Sequence, residues 1–462
     1  MARGANRVTM TEGPLLGVLL RVAWPITFAS LAQSVHQIVN AWFVGRLGSE
    51  AIAAVAASGP LFGVLLSLGS GLSIAGAVLV AQNVGAGKTG TTDHVAAQTL
   101  LMVIAVGLCF AAGGFLLAPW TLRLIGVEEQ VFDLSWQYLT ITYLGLTPMY
   151  CFLACQAMLQ SAGEVRFAMR VSVAAVLLNI ALDPLLIFGV GDWGVWGVPG
   201  AALATVMARI CAFAAVLHHM MSGRSSLHLK KRHFVPDPKH FRLALGLAIP
   251  AALEQGGRTF GSLLLMSLAA LFGTVSLAAY GVGVLPLFFW FAPMVSLSIA
   301  AATIVGQNIG AGKIDRAEET ARTASWLAFV GFTIIGLLHL PFIRAIYALF
   351  APGEMAVIDE AVKFGWALYP FMGIMALTHA LRGVFRGAGN PRQAMTIALV
   401  MQYGFQIPFA WGIAFFTDYG PLGVWWSYTF GSLLGTPICL YWFMKGPWRR
   451  NLVSEAAEAA QS

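Results

Sequence analysis

The sequence predicts an all-α polytopic membrane protein, with twelve transmembrane helices arranged as two six-helix pseudo-symmetric lobes around a central cleft. Three observations predict it. Of 462 residues, 58% are apolar and only 10% charged, with a mean hydropathy of +0.77, a composition suited to lipid rather than water. Twelve apolar segments approach or exceed the roughly 20 residues that a helix needs to cross a bilayer. The first half of the chain is also repeated in the second.

The segments lie near 15–44, 52–82, 95–119, 134–159, 167–190, 195–221, 243–272, 276–306, 323–343, 361–381, 394–416 and 421–444. Several exceed a minimal span, which implies tilt or extension beyond the bilayer. The first is long and lacks a small-residue cleavage site, so it reads as an uncleaved anchor. Threading the spans with both ends inside puts most basic residues on the inner side: the amino-terminal arm, Lys88, Arg166, Arg170, the 224–242 cluster, Lys313, Arg316, Arg322, Arg382, Arg386, Arg392, Lys445, Arg449 and Arg450. Arg46, Arg123, Arg344 and Lys363 fall outside, and Arg209 and Arg258 fall within spans. Inner-side enrichment of Lys and Arg orients a membrane protein. The net charge of +7 therefore reports topology in a cytoplasmic membrane, with cytoplasmic termini and the bilayer as partner, and not nucleic-acid binding.

A shift of 225 residues brings Pro25 onto Pro250, Gly48 onto Gly273, and Gln82-Asn83-Val84-Gly85-Ala86-Gly87-Lys88 onto Gln307-Asn308-Ile309-Gly310-Ala311-Gly312-Lys313. A shift of 226 then pairs Asp133 with Asp359, Ala162-Gly163 with Ala388-Gly389, Arg166 with Arg392, and Gly194 and Gly197 with Gly420 and Gly423. Such self-similarity is the mark of duplicated architecture. Six spans is an even number, so both copies enter from the same side, and their pseudo-twofold axis is expected along the membrane normal. The domains read as 1–221 (first lobe), 222–240 (cytoplasmic basic linker), 241–446 (second lobe) and 447–462 (cytoplasmic tail, small and acidic at its end and expected disordered). The linker carries His228, His233 and His240 and reads as a solvated basic loop near anionic lipid rather than a metal site. Cys109, Cys151, Cys155, Cys211 and Cys439 lie in apolar spans without metal-type spacing and read as small packing residues.

The stretch most informative about function is Asn179-Ile180-Ala181-Leu182-Asp183-Pro184, inside an apolar run where an ionised carboxylate is costly and a functional site is the default reading. Asn179 and Asp183 share a helical face. Pro184 has no N–H for the carbonyl of Ile180, which leaves that oxygen free beside them. A carboxylate, an amide and a loose carbonyl suit a proton or a small cation; the structural alternative is an acid capped at a helix kink. Gly85-Ala86-Gly87-Lys88-Thr89 has the look of a phosphate-binding loop, but Gln82 stands where that motif requires Gly and no strand precedes it. Both copies read better as helix stops with a basic residue at the inner interface. No His-Glu-x-x-His or Gly-x-Ser-x-Gly constellation is present, so the chain is not read as an enzyme.

Gly45-Arg46-Leu47-Gly48, the paired Gln-Asn-x-Gly-Ala-Gly-Lys strings, Asn179-x-x-x-Asp183-Pro184, Ile249-Pro250-x-x-Leu253-Glu254-Gln255 and Arg386-Gly387-Ala388-Gly389-Asn390 together resemble the multidrug and toxic compound extrusion (MATE) family. The resemblance spans nearly the whole chain, and the Asn179 and Asp183 pair is closer to the DinF-like branch than to the NorM-like one. It implies a monomeric secondary exporter of cationic, amphipathic organic compounds, with H+ or Na+ as coupling ion and no other cofactor. Two departures stand out. Asn40 occupies the position where the family usually has Asp in the first helix, and Met375 stands nearest the acid that NorM-like members carry in the tenth. Coupling in the first lobe then rests on Asp183, with Asn40, Asn179 and Thr205 as neutral ligands.

Glu254 is the other acid deep in a span and a second candidate for coupling or for attracting a cationic drug. Arg258 follows one turn later, in the favourable i, i+4 order, so a locked Glu254–Arg258 pair is the competing expectation. His36 and His379 read as satisfied core histidines. The run Phe288-Phe289-Trp290-Phe291 between Pro286 and Pro293 is expected to kink and to place at least one ring on the substrate cleft, where cation–π contact contributes about 0.5 to 2 kcal/mol. Two alternatives stand beside this reading, a lipid-linked flippase of related architecture and, from another class, a passive membrane channel. A lipid-linked flippase calls for a broad cationic cavity, and a passive channel conducts without counter-ion coupling.

Overall fold

The computed structural model describes residues 8–189, 195–446, 448 and 449. Twelve membrane-spanning helices follow the apolar runs closely. In the first half they are α1 (Leu15–Gly45), α2 (Ser49–Gly85), α3 (Thr89–Leu124), α4 (Glu129–Leu144 and Leu146–Ser161), α5 (Val165–Phe188) and α6 (Gly197–Met221). In the second half they are α7 (Pro238–Ala270), α8 (Thr274–Gly310), α9 (Ile314–His339, continued by Ile343–Phe350), α10 (Met355–Leu368 and Met372–Gly387), α11 (Pro391–Leu399 through Ile407–Phe416) and α12 (Leu422–Lys445). The two segments of α4 meet at a bend of 46°. The chain is thus a multi-pass membrane protein. Gly194, Arg450 and residues 451–462 of the tail lie outside the described residues.

The repeat is visible in the backbone. α2 and α8 are each 37 residues long, and both end on a left-handed glycine, Gly87 at φ +70° and Gly312 at φ +72°. Lys88 N–H donates to the Asn83 carbonyl at 3.0 Å and Lys313 N–H to that of Asn308 at 2.8 Å, closing the helix ends with the six-to-one bond that such a glycine permits. The buried Asn83 and Asn308 each donate from Nδ2 one turn back, to Leu79 and Ile304, at 2.8 Å. The paired strings are therefore helix stops, as their composition indicates.

The chain forms two compact units, one of 28–252 with the first nine residues, the other of 10–27 with 253–462. In this division α1 and α7 each contribute to both units. The breaks fall between 27 and 28 and between 252 and 253, positions related by the same shift of 225, each two residues past a helix-internal proline, Pro25 or Pro250.

Within the first unit the linker is more ordered than a solvated loop. Gln98 donates to the carbonyls of His233 and Val235 at 2.7 and 2.6 Å and accepts from Asp237 N–H at 3.0 Å. Asp93 accepts from His228 N–H at 2.7 Å. Glu164 accepts from the Ser225 and Ser226 hydroxyls at 2.8 and 2.6 Å and pairs with His219 at 2.7 Å. Burial pushes the Glu164 carboxyl up, but the hydrogen bonds from Ser226, His219 and Ser225 outweigh it and hold the group below its ordinary value. Among the described residues, no His, Cys, Asp or Glu cluster could hold a metal ion.

Candidate functional site

In the first unit, Asp183 of α5 is fully buried and Asn179 is 3% exposed on the same face. Neither carboxylate oxygen of Asp183 nor Oδ1 of Asn179 has a hydrogen-bond partner. Buried polar atoms are nearly always paired, so three oxygens one turn apart without a protein partner make this stretch the candidate site of the first unit. The imidazole of His36 on α1 lies beside Asp183, with Nε2 at 3.7 Å from Oδ2. Gln33, one turn earlier, lies with Nε2 3.2 Å from His36 Nδ1, and Arg209 of α6 donates to the Gln33 Oε1 while covering the Phe152 ring at 5.4 Å. Asp183 is thus linked through His36 and Gln33 to the half-buried Arg209. Asn40 and Thr205 are half-buried, and among the described residues neither bonds to Asp183. Thr205 Oγ1 instead donates to the carbonyl of Ala201 at 3.2 Å.

His36, read from sequence as a core histidine, is the contact that sequence reasoning missed. A signal was present: His36 precedes Asn40 by four residues and Arg209 follows Thr205 by four. Each polar pair therefore continues one helical face.

In the second unit the expected Glu254–Arg258 pair is replaced by another. Glu254 is fully buried on α7, and its Oε1 accepts from Arg382 Nη1 at 3.4 Å and Arg386 Nη1 at 3.3 Å, both on α10. Arg258 turns instead to Gln255 at 3.3 Å and lies 5.3 Å above the Phe291 ring. Arg382 and Arg386, assigned by sequence to the inner side, belong inside the helix. Gly383 and Gly387 explain why: a Cβ at either would strike the backbone carbonyl of Ser298 or Ala302 on α8. Bare helix faces let the two backbones touch, and that contact fixes α10 with both arginines toward Glu254. Arg386 Nη2 also reaches the Ser298 hydroxyl at 3.1 Å, and that hydroxyl donates to the His379 carbonyl at 2.7 Å.

Beside this cluster lies a cavity of about 600 Å³, within the range of drug-sized pockets. Its wall includes Arg258, Arg382, His379, Trp290, Phe291 and five methionines. Two rings of the aromatic run thus line it, while Phe289 is 37% exposed and the Phe288 side chain lies outside the described residues. α8 continues as one helix through Pro286 and Pro293. Glu254 is not on the cavity wall, and no other acid is among the described lining residues. The carboxylate expected to attract a cationic drug is therefore occupied by Arg382 and Arg386.

Comparison with known proteins agrees with this architecture. The chain is 26% identical over 434 residues to the "Probable multidrug resistance protein YoeA" of Bacillus subtilis (strain 168), covering 93% of each chain. It is 24% identical over 441 residues to the "Probable multidrug resistance protein NorM" of Thermotoga maritima, covering 94% of this chain and 93% of that one. A solved structure described as the outward-facing conformation of a multidrug resistance MATE family transporter of the MOP superfamily matches with a TM-score of 0.90 at 20% identity, over 96% of this chain and 98% of that one. The MatE family model matches twice, at 25–185 and 250–411, starting on the two prolines that the internal repeat superimposes. With most of each half matched, the chain belongs to the MatE family, the multidrug and toxic compound extrusion transporters that its motifs resemble.

Proposed function

We propose that this protein is a secondary active exporter of amphipathic, drug-like organic compounds. It sits as a monomer in the cytoplasmic membrane with both termini cytoplasmic, and it couples export to inward movement of protons at Asp183. No cofactor other than the coupling ion and no covalent chemistry are needed. The observation that carries the reading is the Asp183 carboxylate, fully buried and unbonded at both oxygens, with His36 at 3.7 Å. A lone carboxylate in that position is costly while ionised, and a proton relieves the cost. The imidazole favours the proton over sodium, since a hard cation takes oxygen ligands and His36 presents a nitrogen. The names carried by the two relatives support export as the task.

Proton entry down a potential of about 100 mV supplies about 2.3 kcal/mol, and each pH unit adds about 1.36 kcal/mol. One proton per cycle therefore sustains a substrate gradient of tens-fold to hundreds-fold. The proton drives the cycle only if it binds the inward-open and outward-open states with different affinity. Dye efflux from proteoliposomes with pH and sodium gradients imposed separately tests the reading. A pH gradient alone should drive efflux; efflux driven by sodium alone, with pH clamped, would overturn proton coupling.

A further inference from the structure

We infer that the cavity of the second unit binds amphipathic anions, carrying one carboxylate, sulfonate or phosphate head on a drug-sized apolar body. Its use as a substrate site rests on the export reading; its polarity does not. Arg382 and Arg386 both bond to one carboxylate, Glu254, and Arg258 adds a third guanidinium one turn after it on α7. Two positive charges therefore remain without a counter-charge in the cluster. Buried charges are paired in stable proteins, and here the missing partner is an anion. Two of the three arginines, Arg258 and Arg382, stand on the cavity wall.

The neutral groups agree with the charges. Nε of Arg382, a residue only 5% exposed, has no partner, and neither do the Nε2 atoms of Gln402 and Gln406, both lining the cavity. Gln406 is 7% exposed. Both glutamines sit in a π-helical stretch of α11, Val400–Gln406, a wider turn that recurs at functional sites. Much of the remaining wall is apolar, with Met266, Met294, Met375, Trp290 and Phe291, and methionines adapt to varied ligand shapes. Cationic and amide donors on a largely apolar wall suit a ligand with an anionic head and an apolar body.

Three dyes of one body test this: dansylglycine (anion), dansylamide (neutral) and dansylcadaverine (cation), each titrated into purified full-length protein in phosphatidylcholine nanodiscs by equilibrium dialysis. Dansylglycine should bind at least about tenfold more tightly than dansylcadaverine, the scale of one charge-assisted hydrogen bond. Arg258→Gln should weaken dansylglycine by about tenfold and leave dansylamide unchanged, which separates lost charge from lost folding. The paired variant Glu254→Gln with Arg382→Gln keeps the cluster's charge and should retain preference for the anion. Equal binding of the three dyes, or tighter binding of the cation, would overturn the inference.

Two further arms separate the source of the anion and the export reading. Nanodiscs containing phosphatidylglycerol identify a lipid headgroup as the ligand if they displace dansylglycine in wild type but change nothing in Arg258→Gln; otherwise a soluble compound is the ligand. In proteoliposomes, dansylglycine that binds through Arg258 but is not moved by a pH gradient would sink export while the anion site stands. Export of dansylcadaverine by protein that shows no preference for binding dansylglycine would do the reverse.

Discussion

Replacing Glu254 by Gln should be among the most damaging single changes in the second unit. The substitution preserves shape but deletes the one carboxylate that, among the described residues, pairs with Arg382 and Arg386, which bond to it at 3.4 and 3.3 Å. The local charge rises from +2, three arginines and one acid, to +3. At an effective dielectric constant of about 20, each contact at that distance is worth about 5 kcal/mol of Coulomb energy. Desolvation offsets most of it, and removing one partner of a buried pair costs about 3 to 5 kcal/mol in practice. Fluorescence-detected size-exclusion chromatography after graded heating should show Glu254→Gln melting well below wild type. Adding Arg382→Gln returns the charge to +2 and should recover more than half of the loss. Arg258→Gln in the same background also restores the charge but removes no bonded partner, and should recover less. Rescue by Arg258→Gln together with failure of Arg382→Gln would show that the pairing described here is wrong.

Gly387→Leu should destabilise by about 1 to 3 kcal/mol or more, as overpacking does, because its side chain meets the Ala302 carbonyl. Gly331→Ala on α9 has open space and should be neutral or stabilising by about 0.4 to 1 kcal/mol; thermal midpoints of the two variants check the contrast. The linker should loosen in acid: hydrogen bonds from Ser226, His219 and Ser225 hold the Glu164 carboxyl below its ordinary value against the effect of burial, so the stability it contributes is present above the ordinary carboxylate pKa and is lost as pH falls below it. The thermal midpoint of wild type should therefore fall more steeply below about pH 4.3 than that of Glu164→Gln; parallel slopes would count against an ionised Glu164 holding Ser225 and Ser226.

The spans were legible because lipid demands long apolar runs whatever their periodicity, and the repeat was legible because helix stops such as Gly87 and Gly312 need glycine at a left-handed turn. The site was legible where one residue is anomalous on its own, as Asp183 is in an apolar run. It was not legible where partners come from distant helices. Arg382 and Arg386 follow an apolar stretch that ends near 381, so charge counting put them at the inner interface, whereas α10 continues to Gly387. The spacing Arg382-Gly383-x-x-Arg386-Gly387 held the clue: glycines four apart announce close backbone contact, and each arginine precedes one. Arg258 misled by proximity, since an i, i+4 neighbour is a favourable partner on an isolated helix but loses here to two guanidiniums supplied across the packing interface. The pairing of His36 with Asp183 joins α1 to α5 across more than 140 residues; the spacing of His36 and Asn40 marks a polar face on α1 but not the helix it meets.

The most direct test of the central claim is gradient-driven dye accumulation by purified Asp183→Asn protein in proteoliposomes, compared with wild type under the same imposed pH gradient. Asparagine keeps the shape and removes the proton site. The account predicts a folded protein that still binds dye but exports none against its gradient. Accumulation by Asp183→Asn at the wild-type rate would contradict it and move the coupling proton away from Asp183.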